Sequence, residues 1–204
     1  MLNKIVLAVL VVASAVFAQV NVSGRIAFNY GTVWGDDSKK IDWGAGFIVG
    51  PEVKYSFNPV LSLISGLELD YRRASYDYHV DYNPLIDPDL RNYTVTETTS
   101  FMYLDIPVLL RVNPVSFFFV DAGITFDFNL SAQNVMEYDG EIISDDVSSG
   151  TKLFEFGLAC GLGFTVFSEL DLSFRAVFGM TSKSKKSDKP KHLRLQSGLT
   201  YWAF

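Results

Sequence analysis

Between Phe118 and Leu130 the chain changes character at every step. Phe118, Val120, Ala122, Ile124, Phe126, Phe128 and Leu130 are all apolar; of the residues between them, Phe119, Asp121, Gly123, Thr125, Asp127 and Asn129, only the first is apolar. A helix would scatter both sets around its axis, whereas an extended strand sends each set to its own face. Period two sustained this long commits the segment to a strand with one greasy side and one polar side.

The pattern recurs. Trp43 to Phe57, Leu61 to Arg72, Met102 to Val112, Phe154 to Val166 and Leu170 to Met180 each alternate in the same way, Val20 to Tyr30 forms a first strand, and Leu193 to Phe204 a last one. The sequence therefore predicts eight strands. Asn58-Pro59, Asn113-Pro114 and Ser168-Glu169 are expected to be tight joints, spaced 55 residues apart. Long polar stretches separate them, at 31–41, 75–100, 131–150 and 182–192. Short turns at one end and long loops at the other are the layout of an up-and-down outer-membrane barrel. Both chain ends would then lie on the short-turn, periplasmic side.

Two orientations of the faces are possible. With apolar rows inward the chain would be a soluble cup; with apolar rows outward, lipid covers them and the polar rows fill the lumen. The polar rows carry Arg25, Glu52, Lys54, Glu68, Asp70, Arg72, Asp105, Arg111, Asp121, Asp127, Glu155, Asp171 and Arg175, interleaved with glycines. An eight-stranded barrel has an interior just wide enough for side chains, and mixed charges with small residues suit that interior. Acids outnumber bases in these rows, so some acids are expected at the rims or hydrated. The fold predicted is all-β: a closed antiparallel transmembrane barrel with lipid outside. Tyr30, Trp43, Tyr55, Phe57, Tyr71, Phe128, Tyr201 and Trp202 lie near strand ends and are expected to form interfacial girdles. In the last strand Leu199, Tyr201 and Ala203 suit one face and Trp202 and Phe204 the other, which a bulge could reconcile.

The first residues are set apart. Met1 to Lys4 is a short positive start, Ile5 to Ala13 is wholly apolar, and Val16-Phe17-Ala18 offers small residues where a signal peptidase reads. Residues 1–18 are expected to be a cleaved signal peptide and 19–204 the barrel domain. Loss of Lys4 leaves 16 Lys+Arg against 23 Asp+Glu, a net of −7, with no basic stripe for nucleic acid. Cys160 is the lone cysteine, so no disulfide forms; it reads as a small apolar strand residue. No later window holds 18 consecutive apolar residues, so no transmembrane helix is expected.

One segment carries a likeness. Tyr103-Leu104-Asp105-Ile106-Pro107-Val108-Leu109-Leu110-Arg111 resembles the aromatic-Leu-acid-Ile-Pro-Leu-Leu-Leu-basic segment of the PorT-type outer membrane protein β-barrel domain family. The resemblance implies small barrels common in Bacteroidetes and related bacteria, most of them without an assigned activity; the namesake is linked to protein secretion and gliding machinery. Pro107 itself is expected to mark a local kink, since a strand proline lacks a ladder donor.

The chemistry-bearing residues are sparse. His79, flanked by Asp77 and Asp81, and His192 are both expected in outer loops, and no nucleophile motif accompanies them. Asp77, Asp81, Asp87, Asp89 and the Asp145-Asp146 pair lack the order of a calcium loop. Lys183, Lys185, Lys186, Lys189 and Lys191 read as a solvated loop or, alternatively, as a clamp for lipopolysaccharide phosphates. No residue is assigned to catalysis, to a cofactor or to a metal, and the chain reads as a non-enzyme. The expected partners are outer-membrane lipid and lipopolysaccharide, the barrel-assembly machinery through the C-terminal strand that ends on Phe204, and envelope proteins. The expected role is structural or surface-interaction, with accessory service to a secretion system as the alternative and a rim enzyme as a weaker one.

Overall fold

The structure, a computed structural model, describes residues 19–34, 41–80, 93–138, 141–181 and 191–203. The signal-peptide segment, Asp81, Asp87, Asp89, the lysines at 183, 185, 186 and 189, and Phe204 lie outside these residues. Eleven strands form among the described residues: β1 (Val20–Trp34), β2 (Ile41–Asp42), β3 (Gly44–Ser56), β4 (Leu61–Gly66), β5 (Glu68–Val80), β6 (Tyr93–Val115), β7 (Phe118–Tyr138), β8 (Glu141–Asp146), β9 (Phe154–Phe167), β10 (Leu170–Gly179) and β11 (Lys191–Trp202). All pairings are antiparallel. The ring runs β1, β3, β4 with β5, β6, β7, β9, β10, β11 and back to β1, so the eight predicted strands close on themselves.

The registers set its shape. Val22 pairs with Val53, Val53 with Ser65, Ser65 with Val108, Val108 with Ile124, Ile124 with Leu158, Leu158 with Phe178, Phe178 with Leu193, and Leu193 with Thr32. One circuit therefore returns to β1 ten residues from its start, Val22 to Thr32. Ten residues of stagger at ~3.3 Å across eight strand spacings of ~4.8 Å tilt the strands by about 40° and give a backbone radius of about 8 Å. Such a tube has room for side chains and nothing wider.

Alternation decides which face is which. Ile26 is 59% exposed and its neighbour Arg25 1%. The same contrast holds round the ring: Phe28, Phe47, Val49, Leu69, Leu110, Leu158, Phe174 and Leu199 face outward, while every charged residue expected in the polar rows is buried except Lys54, which is half-buried. Tyr30 stacks on Trp43 at 5.1 Å, and Tyr55 meets Phe57 edge-on at 5.1 Å. No helix among the described residues is long and apolar enough to cross a membrane.

Several details depart from expectation. Much of 75–100 and 131–150 is strand rather than loop: β5 and β6 pair out to Val80 and Tyr93, β6 and β7 out to Thr96 and Glu137, and β8 adds to β7. Here Thr94 to Ser100 is nearly all polar, with Val95 buried and Thr96 to Ser100 half-buried whichever way they point, so period two disappears while strand pairing continues. A bulge marks the change: Met102 pairs with Ser131 and Tyr103 with Asn129, leaving Leu130 over and reversing the facing of β7 beyond it. The second tight turn is Ser116–Phe117 and not Asn113-Pro114, because an irregularity between Val112 and Val115 carries Pro114 within β6. The last strand needs no bulge. Its ladder is regular from Trp34–Lys191 to Ser23–Trp202, so Tyr201 faces out and Trp202 faces in, away from the girdle. The break between β4 and β5 has a cause in β3. The Pro51 carbonyl accepts the Leu67 N–H at 3.0 Å, but proline has no N–H to return the bond. Pro107, where a kink was expected, lies on the other side of the same break, between the Ser65–Val108 and Glu68–Asp105 pairs.

The packed lumen and the outer sheet as candidate functional sites

Eight carboxylates and five guanidinium groups share the lumen: Glu52, Glu68, Asp70, Asp105, Asp121, Asp127, Glu155 and Asp171 with Arg25, Arg72, Arg111, Arg175 and Arg194. The excess acids are not at the rims, as expected, but buried. They are accommodated because each arginine, with its fork of donors, serves two or three of them, in three tiers.

In the tier nearest the turns, Arg111 grips Asp121 with Nε at 2.8 Å and Nη2 at 3.0 Å and reaches Asp171 with Nη1 at 2.6 Å. Trp202 Nε1 also donates to Asp171, at 2.9 Å, and Thr165 Oγ1 donates at 2.8 Å. The guanidinium lies 3.4 Å over the Phe119 ring, and the Lys54 ammonium 4.1 Å over Trp202. The close approach of Phe119 and of the neighbouring backbone is why position 163 is glycine, since a Cβ there would come within 2.2 Å of the ring and 2.5 Å of the Leu172 carbonyl oxygen. A polar cavity of about 280 Å³ opens below, lined by Lys54, Ser56, Ser62, Thr165 and Trp202 among others.

The middle tier is balanced. Arg25 donates to Glu68 at 2.9 Å and to Gln196 at 3.3 Å, while Arg175 donates to Glu52 at 3.4 Å and approaches Glu68 at 3.8 Å. The upper tier has three acids on two arginines. Asp105 pairs in register with both Glu68 and Asp127, a row of like charges that would repel if unsupported. Arg72 answers it from β5, with bonds to Asp70, Asp105 and Asp127 at 2.8 to 3.0 Å. Arg194 answers it from β11, reaching Asp70 at 2.5 Å, Asp105 at 2.6 Å and Asp127 at 2.7 Å. Asn29 Nδ2 donates to Asp70 as well.

Above this tier the lumen ends in a lid. Phe101, Tyr103 and Ala132 form a buried cluster with Val147 packed against it. His192 stands edge-on to Phe101 and Tyr103, and its Nε2 lies 3.7 Å from the Glu155 oxygen to which Tyr103 donates at 2.5 Å. His192 is thus a buried strand residue and not a loop residue. His79 and Asp77 lie on β5, paired with Thr94 and Thr96. Cys160 is on the outward face.

Beyond the lid, β5 to β8 continue as a sheet with polar cross-strand contacts. Ser75 meets Thr98 at 3.2 Å, Thr99 donates to Asn134 at 3.2 Å, and Asn134 donates to Glu97 at 2.7 Å. Asp146 Oδ1 accepts the Ser148 N–H at 2.8 Å and starts the turn Ser148–Gly150. The upper-tier role of Arg194 and the lid around His192 were not found from sequence. Extending the period-two row of the last strand back through Gln196 would have placed both inward.

A family described as "Outer membrane protein beta-barrel domain" matches residues 17–184. None of the curated characterised proteins matches the chain. Among solved structures, the attachment invasion locus protein Ail of Yersinia pestis is similar at 12% identity, covering 89% of this chain and 97% of that one, with a TM-score of 0.50. Neisserial surface protein A is similar at 12% identity over 88% and 96%, with a TM-score of 0.46. At these identities the likeness to Ail speaks for the fold alone.

Proposed function

The chain belongs to the outer membrane protein β-barrel domain family, and from that premise we propose that it acts at the outer membrane by surface recognition, its outer sheet and loops contacting lipopolysaccharide or partner proteins. The observation that supports this most is the contrast between its two ends. The lumen is filled by three charged tiers and an aromatic lid, which leaves no passage for a solute. The strands β5 to β8 outrun the apolar belt, and on this outer sheet β7 and β8 carry exposed side chains.

Binding rather than catalysis is the reading we infer for the histidines. His192, the one with an acid and a hydroxyl group beside it, is buried beneath Phe101. Membership of the PorT type is a finer proposal. The residues that carry the resemblance, Tyr103, Asp105 and Arg111, face the lumen in separate tiers, so they support shared barrel packing and give no weight to a shared secretion role. Export through cleavage after Ala18 belongs to the same proposal, and N-terminal sequencing of the mature protein tests it.

A photo-crosslinking residue placed at Ile142 or Leu153, both exposed, tests the functional reading in intact cells. Adducts with lipopolysaccharide or an envelope protein are expected. No adduct from either position, together with steady ion conductance by the purified chain in planar bilayers, would overturn it.

A further inference from the structure

The sheet that rises above the barrel ends on one side at β8, which among the described residues pairs with β7 and nothing else. Its register runs from Gln133–Asp146 to Tyr138–Glu141, and the next pair is held by Val147 N–H donating to the Ala132 carbonyl at 3.0 Å. In an antiparallel ladder the residues whose backbone faces the partner alternate. Val147 faces β7, so Asp145 and Ile143 do too, and the N–H and C=O groups of Ile142, Ser144 and Asp146 point away from the sheet. This is a row of free donors and acceptors at strand spacing.

Edge strands are usually blunted by lysine, proline, a bulge or a covering segment. β8, with the sequence Glu-Ile-Ile-Ser-Asp-Asp, has no lysine, no proline and no bulge. Ile142 is 69% exposed and Ile143 46%. Among the described residues the exposed charges on these two outer strands are all acidic: Asp145 and Asp146 on β8 and Glu137 on β7.

We propose that the outer edge of β8 is a docking site for an extended segment of a partner protein, one that alternates apolar residues with lysine or arginine. This rests on the surface-recognition reading and names the partner class. The added strand would bond to the backbone of Ile142, Ser144 and Asp146; on the face shared by Ile142, Glu137 and Asp146 it would set its cations against the two acids, and on the opposite face its apolar residues would cover Ile143. The same acids repel lipopolysaccharide phosphates, so this edge is not a lipid-headgroup site. They also oppose a second copy of the chain, because two β8 strands would bring acid to acid with no base in either.

The test uses the full mature chain in lipid nanodiscs and a fluorescent peptide alternating lysine and valine, with a glutamate-valine peptide beside it. The basic peptide is expected to bind saturably and at least tenfold more tightly than the acidic one. Ser144→Pro removes an outward N–H without touching the bonds to β7 and should weaken binding at least tenfold while heat-modifiable gel migration is unchanged. The double variant Glu137→Lys, Asp146→Lys, which inverts the charge of that face, should reverse the preference toward the acidic peptide. Equal binding of both peptides, no binding of either, or unaltered binding by Ser144→Pro overturns the proposal, as does self-association of the chain that Ser144→Pro abolishes. If peptide binding fails while surface crosslinks from Ile142 and Leu153 persist in cells, the docking edge falls and the surface role stands; if both fail, both fall.

Discussion

Arg194, on the last strand of the ring, donates from Nη1 to Asp105 on the strand diametrically across it, at 2.6 Å. This contact spans the lumen and joins the strand that closes the barrel to the middle of the wall it must close against. Asp105 is held in turn by Arg72 at 2.8 Å, so the upper tier ties β5, β6, β7 and β11 together.

Removing one partner from a buried, hydrogen-bonded ion network strands the other charge at a cost of about 3–5 kcal/mol. Arg194→Met should therefore lower the unfolding free energy of the refolded barrel by that order, seen as a lower urea midpoint in heat-modifiable gel migration. Adding Asp105→Asn to it should recover part of the loss, since the uncompensated carboxylate is then neutral. A single variant as stable as the parent would show that the tier is dispensable.

Cys160 is the only thiol and lies on the outward face between Ala122 and Ala176 on the neighbouring strands. In the outer-membrane orientation it meets acyl chains. A fluorophore attached there without any substitution should be quenched strongly by bromine-labelled lipid tails and weakly by iodide in water. The opposite ranking would mean that the faces had been assigned the wrong way round.

Asp146 lies outside the barrel wall, and hydrogen bonds from the Ser148 hydroxyl and then from the Ser148 backbone N–H hold its carboxyl below the ordinary aspartate range. A depressed pKa means the bonded turn favours the carboxylate. The turn is fully supported above the ordinary aspartate pKa and loses that support as pH falls through the lower, folded value. A carboxyl-carbon NMR titration should therefore place Asp146 below the other exposed aspartates, and Ser148→Ala should move it back up toward them. An unmoved titration in that variant would remove Ser148 as the cause.

What could be read in the residues themselves was what repeats along a strand. Alternation between Phe118 and Leu130, or between Leu170 and Met180, assigns each side chain to a face, and it does so because one face meets hydrocarbon and the other does not. That requirement is local, and it identified the eight crossings, the lipid-facing row and nearly all the lumen charges. It lapses where the residues of both faces are mostly polar, so the strands above the bulge at Leu130 looked like loops.

Register and pairing across the ring were settled only by closure. The ten-residue stagger from Val22 to Thr32 fixes which tiers meet, and it brings Arg194 to Asp105, Trp202 to Asp171 and His192 to Glu155. None of these pairs has a sequence signature. Their partners lie far apart along the chain, and nothing relates them until the tube closes at a radius that forces opposite walls into contact.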